Sequence, residues 1–171
     1  MTQELYSFKD RKGPVKEHIL VAMVENKTGV LSRVFSLFRR RRFNIKSMTA
    51  GATERDDLYR LTIVVDGEKT NVEQVIKQLY KIIEVIKVSD VTSENITTRE
   101  LALIKISTNK SNRLEVLRIA GVYRCKVVSS SKNHVIIEIT GRPSKINSFI
   151  EMCKIFGVVE LVRTGVVTMT R

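Results

Sequence analysis

Residues 17–41 read EHILVAMVENKTGVLSRVFSLFRRR, and this stretch decides the fold. Its first nine residues, 17–25, form an apolar run rich in branched side chains, the mark of a buried strand. ENKTG then makes a turn. From Val30 the period changes: Leu31, Val34, Phe35 and Phe38 fall at i, i+3, i+4 and i+7, one face of a helix over 30–41. Thr28 is the candidate N-cap. A buried strand followed after a tight turn by an amphipathic helix is the opening of a layered β–α unit.

Working outward, residues 43–53 alternate, with Ile45, Ser47 and Thr49 against Lys46, Met48 and Ala50, and predict a second strand. A third strand follows over 58–65. Thr70-Asn-Val-Glu73 has the spacing of a capping box. It opens a helix whose apolar positions are Val72, Val75, Ile76, Leu79 and Ile83. Residues 85–92 predict a fourth strand. The order is β-α-β-β-α-β.

The second half repeats it. A strand over 99–107 leads to a helix over 111–120 with a serine cap and Gly121 behind it. Strands over 125–130 and 134–139 form a hairpin around SKN. Pro143 and Ser144 start a helix carrying Ile146, Phe149, Ile150 and Cys153, closed by Gly157. Residues 158–169 predict one last strand. The fold class expected is α+β, with two ferredoxin-like units. The expected division is an N-terminal arm over 1–16, a first domain over 17–95 and a second over 96–171.

Composition narrows the function classes. The chain has 171 residues, 43% hydrophobic and 28% charged, enough for a buried core. No apolar run approaches the roughly 20 residues of a membrane helix. The first residues lack the apolar segment of a secretory signal. Two cysteines, Cys125 and Cys153, stand far apart without a CxxC pair, so a reducing, cytoplasmic setting is expected, with no disulfide scaffold or zinc site. Both are expected in the core. The net charge is +12. Up to Asp90 there are 17 basic and 12 acidic residues, and after it 13 and 6, so the charge is not a tail. Its one dense cluster is Arg39–Arg42.

Catalytic signals are lacking. His18 and His134 both fall in strands, with no partner evident for His18. Asp56 and Asp57 lie in a polar turn and read as turn chemistry. The phosphate-loop, dinucleotide and zinc-protease motifs are absent. The corner at Asn26–Gly29 is more informative. Free N–H groups at a helix start attract an anion, and glycine permits close approach. Asn44, fifteen residues beyond Gly29, begins the second strand, which lies at the sheet edge in this fold. Two copies pairing there bring Asn44 of one chain to Asn26 and Gly29 of the other. Such a cavity offers N–H donors for a carboxylate, amide oxygens for an ammonium and branched side chains for an alkyl group, the three parts of an aliphatic amino acid. The plainer alternative is that Gly29 makes the turn and Asn26 caps the helix.

The stretch VENKTGVLSRVFSLFRRRRFNIKSMTAGATERDDLYRLTIVV, residues 24–65, closely resembles the ACT domain of the small, regulatory subunit of acetohydroxyacid synthase (acetolactate synthase). The residues that carry the resemblance are Asn26, Gly29, Leu31, Ser32, Arg33, Phe38, Phe43, Asn44, Ile45, Ser47 and Met48. It continues through VEQVIKQLYKIIEVIKV, RELALIKI and the terminal RTGVVTMTR, and so covers about residues 17–171. The resemblance implies that the chain is not itself a catalyst. It implies a partner, a large catalytic subunit carrying thiamine diphosphate, FAD and magnesium, with no cofactor or metal in this chain. It implies activation of that subunit and feedback inhibition by valine in branched-chain amino acid biosynthesis. Carried over by position, the valine ligands are Asn26, Thr28, Gly29, Val30 and Leu31 of one chain with Asn44 and Ile45 of its mate in a homodimer. Lys27 and Thr28 stand where many relatives have smaller or acidic residues.

Two further readings belong here. Arg39–Arg42 is either a solvated helix end, where cations complement the dipole, or a docking surface for the large subunit. A stand-alone nucleic-acid-binding ferredoxin-like protein is the alternative function. Against it stand the ten aromatic residues and the absence of a base-stacking motif. Neither nucleic acid nor membrane is an expected partner.

Overall fold

The computed structural model describes residues 17–67 and 71–171. The arm expected over 1–16, and Thr70 of the expected capping box, lie outside the described residues. The first unit comprises β1 (Glu17–Glu25), α1 (Val30–Arg41), β2 (Ile45–Ala52), β3 (Leu58–Asp66), α2 (Val72–Leu79) and β4 (Val85–Asp90). The second comprises β5 (Ile96–Ser107), α3 (Arg113–Val122), β6 (Lys126–Ser130), β7 (His134–Gly141), α4 (Pro143–Lys154), β8 (Val158–Arg163) and β9 (Val167–Thr170). The first sheet runs β2-β3-β1-β4, and the second runs β6-β7-β5-β8. The βαββαβ order therefore occurs twice, with the same antiparallel strand arrangement, and the α+β ferredoxin-like expectation holds.

Each sheet buries one face under its two helices. Leu20, Ala22 and Val24 of β1 meet Val34 and Phe38 of α1 and Val75 and Leu79 of α2 in one core. Ala102, Ile104 and Ile106 of β5 meet Val116, Ile146, Phe149 and Cys153 in the other. Cys125 packs at the rim of that second core. Burial pushes the Cys153 thiol up to about 12 and the Cys125 thiol up to about 11, so both behave as small apolar groups.

Several elements differ from the sequence reading. A bulge between Ile45 and Ser47 breaks the expected alternation of β2. Ile45 and Met48 both pack against the helix-side core, with Phe43. Helix α2 is capped by Asn71, whose side chain accepts from the Gln74 N–H, and it stops at Leu79. Two successive tight turns, Lys81 N–H to Gln78 O and Ile82 N–H to Leu79 O, shift the phase by one residue. Ile82 thus fills the core while Ile83 is 94% exposed.

Helix α3 has no serine cap. The Asn109 side chain accepts instead from the Ser111 and Asn112 amides. Gly121 lies inside α3, and Arg124 takes the left-handed position at φ 54°. The last strand is two. After β8 the chain turns at Gly165, φ 86°, and β9 pairs with the first part of β5, Ile96–Arg99, off the main strand path. His18 does have a partner, since its Nδ1 lies 3.0 Å from an Asp90 carboxylate oxygen.

The reverse face of the first sheet meets the second unit. The Arg60 guanidinium donates to the Thr168 carbonyl at 3.1 Å. A Cβ built on Gly165 would stand 3.1 Å from both Ser47 Cβ and Thr49 Oγ1.

Candidate functional site

The corner between β1 and α1 is built by main-chain bonds that leave donors free. Asn26 N–H donates to Asp57 O at 2.7 Å, Lys27 N–H to Glu25 O at 2.9 Å, and Val30 N–H to Lys27 O at 3.2 Å. Gly29 supplies the left-handed residue, φ 85°, that turns the chain into the helix. It is the N-cap, so Thr28 does not have that role, and no side chain caps the helix. The first turn carries no acidic residue. The amides of Thr28, Gly29, Leu31 and Ser32 have no main-chain partner among the described residues. The positive end of α1 is therefore open and exposed, a place where a carboxylate is stabilised.

Asn26 does not cap the helix either. Its Nδ2 donates to the carbonyl of Asp56 at 3.0 Å, which ties the corner to the β2–β3 turn and fixes the side chain. That leaves Oδ1 as an acceptor. A second tie lies at the back. Arg33 grips Glu84 through two bonds, Nη2 to Oε1 at 2.6 Å and Nε to Oε2 at 3.2 Å. Its Nη1 would lie 3.5 Å from a Cβ on Gly29. Lys27 is held by Glu25 at 2.6 Å, a contact that raises its pKa through the hydrogen bond and the opposite charge.

The residues carried over from the resemblance thus fall in two places. Asn26, Thr28, Gly29, Val30 and Leu31 form one corner. Asn26, Thr28 and Gly29 are exposed, Leu31 is half-buried, and the Val30 side chain is in the core, so Val30 offers only its backbone. Asn44, exposed, and Ile45, half-buried, lie at the other end of the same sheet. Ile45 is level with Val65, the partner of His18, and Asn26 comes eight residues after His18. At about 3.3 Å per residue the separation is roughly 26 Å. One chain does not bring the two groups together.

Arg33–Glu84 and the Asp56 and Asp57 carbonyls went unread in the sequence. Only the strand register, with Glu25 opposite Leu58, places the turn beside Asn26. Among the described residues no three His, Cys, Asp or Glu side chains stand together as a metal site. No helix among them is long and apolar enough to cross a membrane.

Comparison with known proteins gives a consistent result. A family model described as "Small subunit of acetolactate synthase" matches residues 99–171, and one described as "AHAS small subunit-like ACT domain" matches residues 20–87. "Probable acetolactate synthase small subunit" of Archaeoglobus fulgidus is 49% identical over 155 residues, covering 91% of this chain and 97% of that one. The chain belongs to the acetolactate synthase small-subunit family. The "Acetolactate synthase small subunit" of Mycolicibacterium smegmatis is 43% identical over 90% of this chain and 91% of its own. The crystal structure of the small subunit from Thermotoga maritima superposes with a TM-score of 0.81 at 42% identity, covering 92% of this chain and 98% of that one. The ACT-domain match falls in the first unit of this small subunit, and the exposed corner at Gly29 lies within the matched residues.

Proposed function

We propose that this chain is the non-catalytic regulatory subunit of an acetolactate synthase, and that it binds valine between the ACT domains of two copies. The observation that carries the reading is the uncapped start of α1. Four main-chain N–H groups at this exposed corner have no main-chain partner among the described residues, and the first turn carries no acidic side chain. A ligand carboxylate satisfies such donors. The Asn26 Oδ1, with its amide nitrogen already committed to Asp56, accepts from the ligand ammonium.

Edge pairing supplies the second half of the cavity. Strand β2 is at the edge of the first sheet, and Ala50, Gly51 and Ala52 on it are small and exposed. A second copy paired antiparallel along β2 sets the start of its strand, near Ile45, against the end of this one, near Ala52. Ala52 is level with Tyr59, which pairs with Val24 near the corner. Asn44 and Ile45 of the mate then reach the end of the sheet that holds Asn26. The roughly 26 Å within one chain is closed by the two-fold axis.

The large subunit performs the pyruvate condensation with its own thiamine diphosphate, FAD and magnesium. This chain raises that activity, and bound valine lowers it by favouring one arrangement of the two ACT domains. Linkage requires that the large subunit alter valine affinity in return. Discrimination against leucine or isoleucine is modest, since one methylene in an apolar pocket is worth about 1–3 kcal/mol.

The test is reconstitution. The large subunit from the same source is assayed for acetolactate alone, with this chain, and with this chain plus valine. Stimulation reversed by valine is expected. No stimulation, or acetolactate formed by this chain alone, contradicts the proposal. Tight, steeply salt-dependent binding to a short RNA would favour the nucleic-acid reading.

A further inference from the structure

The helix layer of the first unit carries a basic groove that the effector corner does not use. It is lined by Leu37, Arg40 and Arg41 of α1 and by Gln78, Lys81 and Ile82 at the end of α2, and holds about 380 Å³. Leu37 and Ile82, 5% and 8% exposed, form its floor. Arg39 and Arg42 stand exposed beside it. None of Arg39, Arg40, Arg41, Arg42 or Lys81 has an ion pair among the described residues.

A helix dipole does not account for this cluster. The C-terminal end of a helix carries about half a negative charge, enough to favour one cation. Four consecutive arginines, faced across a groove by a lysine from another element, repel one another.

Much of the rest of the first unit is otherwise engaged. One sheet face is under its own helices, the reverse face meets β9 and the Gly165 corner, and the β2 edge is the proposed self-pairing surface. The helix layer is the broad surface left over, and its charge selects a partner of opposite sign.

We propose that the groove between α1 and the end of α2 docks a carboxylate-bearing segment of the catalytic large subunit. This rests on the small-subunit reading above for the existence of that partner, but not on valine binding. Arg40 and Arg41 hold the carboxylates, and Lys81 closes on them from the opposite wall.

The test uses the full chain and the large subunit from the same source. Arg40→Glu/Arg41→Glu and Lys81→Glu are compared with wild type and with Arg40→Lys/Arg41→Lys. Direct association is followed at low and high salt, and valine binding to each variant alone is measured by calorimetry. Charge reversal is expected to weaken association at low salt by at least about tenfold, with the lysine pair intermediate and the wild-type affinity falling as salt rises. Valine affinity should stay within about twofold, which shows that the variants are folded. Association unchanged by reversal overturns the proposal, as does a wild-type chain that never binds the large subunit. So does reversal that abolishes RNA binding while sparing the large subunit. Loss of association on reversal in a chain that never bound valine leaves the docking surface standing and removes the effector site.

Discussion

The side-chain amide of Asn26 donates a 3.0 Å hydrogen bond to the main-chain carbonyl of Asp56, across the gap between the β1–α1 corner and the β2–β3 turn. The main chain repeats the connection, with the Asn26 N–H on Asp57 O at 2.7 Å. Both bonds attach the corner to the hairpin whose first strand is the free sheet edge. An effector that displaces the corner therefore pulls on the edge proposed for pairing between two copies. The Asp57 side chain is turned away to Arg55, whose hydrogen bond holds the exposed carboxyl below the usual carboxylate range.

The contact of Gly165 with β2 gives a first prediction. At φ 86° an alanine costs about 1–2 kcal/mol of backbone strain. Its Cβ also meets Ser47 and Thr49 at 3.1 Å. Gly165→Ala should lower the thermal midpoint by roughly 3–8 °C. Gly141→Ala is the control, because the nearest atom to its new Cβ, at 2.8 Å, is the Lys145 Cδ on a flexible chain. Its midpoint should move by less than about 2 °C. Equal shifts in the two variants would contradict the close approach of the two units.

Glu100 and Arg163 form a partly buried pair with an unequal risk. Arg163 Nε and Nη2 reach the two Glu100 oxygens at 2.6 Å each. The Glu100 side chain is 3% exposed and that of Arg163 is 32% exposed. Arg163→Met strands a buried carboxylate and should cost about 3 kcal/mol or more. Glu100→Gln keeps an acceptor and leaves the guanidinium partly in water, so about 1–2 kcal/mol is expected. Denaturant titrations of both variants check the order, and a larger loss in Glu100→Gln would contradict it.

Both units end their first helix with an arginine in the left-handed conformation. Arg42 and Arg124 share φ 54°, and in each case the next residue closes a bond back to the helix, Phe43 N–H to Phe38 O and Cys125 N–H to Ala120 O. This is the terminator that glycine ordinarily provides. Arg124→Gly should raise stability by about 0.5–1 kcal/mol. A loss would show that the arginine side chain compensates for its backbone.

Acid stability should depend on Asp90. Burial alone lifts its carboxyl, but hydrogen bonds from the Thr92 hydroxyl and amide, with His18, outweigh burial and hold it below the usual range. A depressed carboxylate stabilises the fold in full above about pH 4, and that contribution disappears as the pH falls through the lower folded value. Asp90→Asn should flatten the acid limb of stability below about pH 4. Superimposable limbs for wild type and variant would count against the His18–Asp90–Thr92 cluster.

The parts of the fold legible in the sequence were those written as periodicity. The change of period after Gly29 fixed α1, and Pro143 with Gly157 fixed both ends of α4. The failures came where tertiary contacts overrode local pattern. Nothing local marks Lys46 as a bulge, which follows from fitting Ile45 and Met48 into one core. The strand over 158–169 read as continuous because branched residues flank Gly165 on both sides, and only the packing of Gly165 on Ser47 divides it. The first half of the candidate site was legible because Asn26, Gly29 and Leu31 are close in sequence. The Asp56 and Asp57 carbonyls were not, since a main-chain acceptor leaves no trace in residue type. Asn44 lies at the other end of the same sheet and would meet the corner only in the proposed pairing of two copies.

The most direct test of the account is calorimetric titration of valine into the wild-type chain and into Asn26→Ala and Asn44→Ala. Saturable binding is predicted for wild type, weakened at least about tenfold in each variant, which corresponds to about 1.4 kcal/mol or more. The two losses should agree although the residues lie at opposite ends of one sheet. Binding unchanged in both variants would contradict the site, and loss in Asn26→Ala alone would contradict its completion by the partner copy.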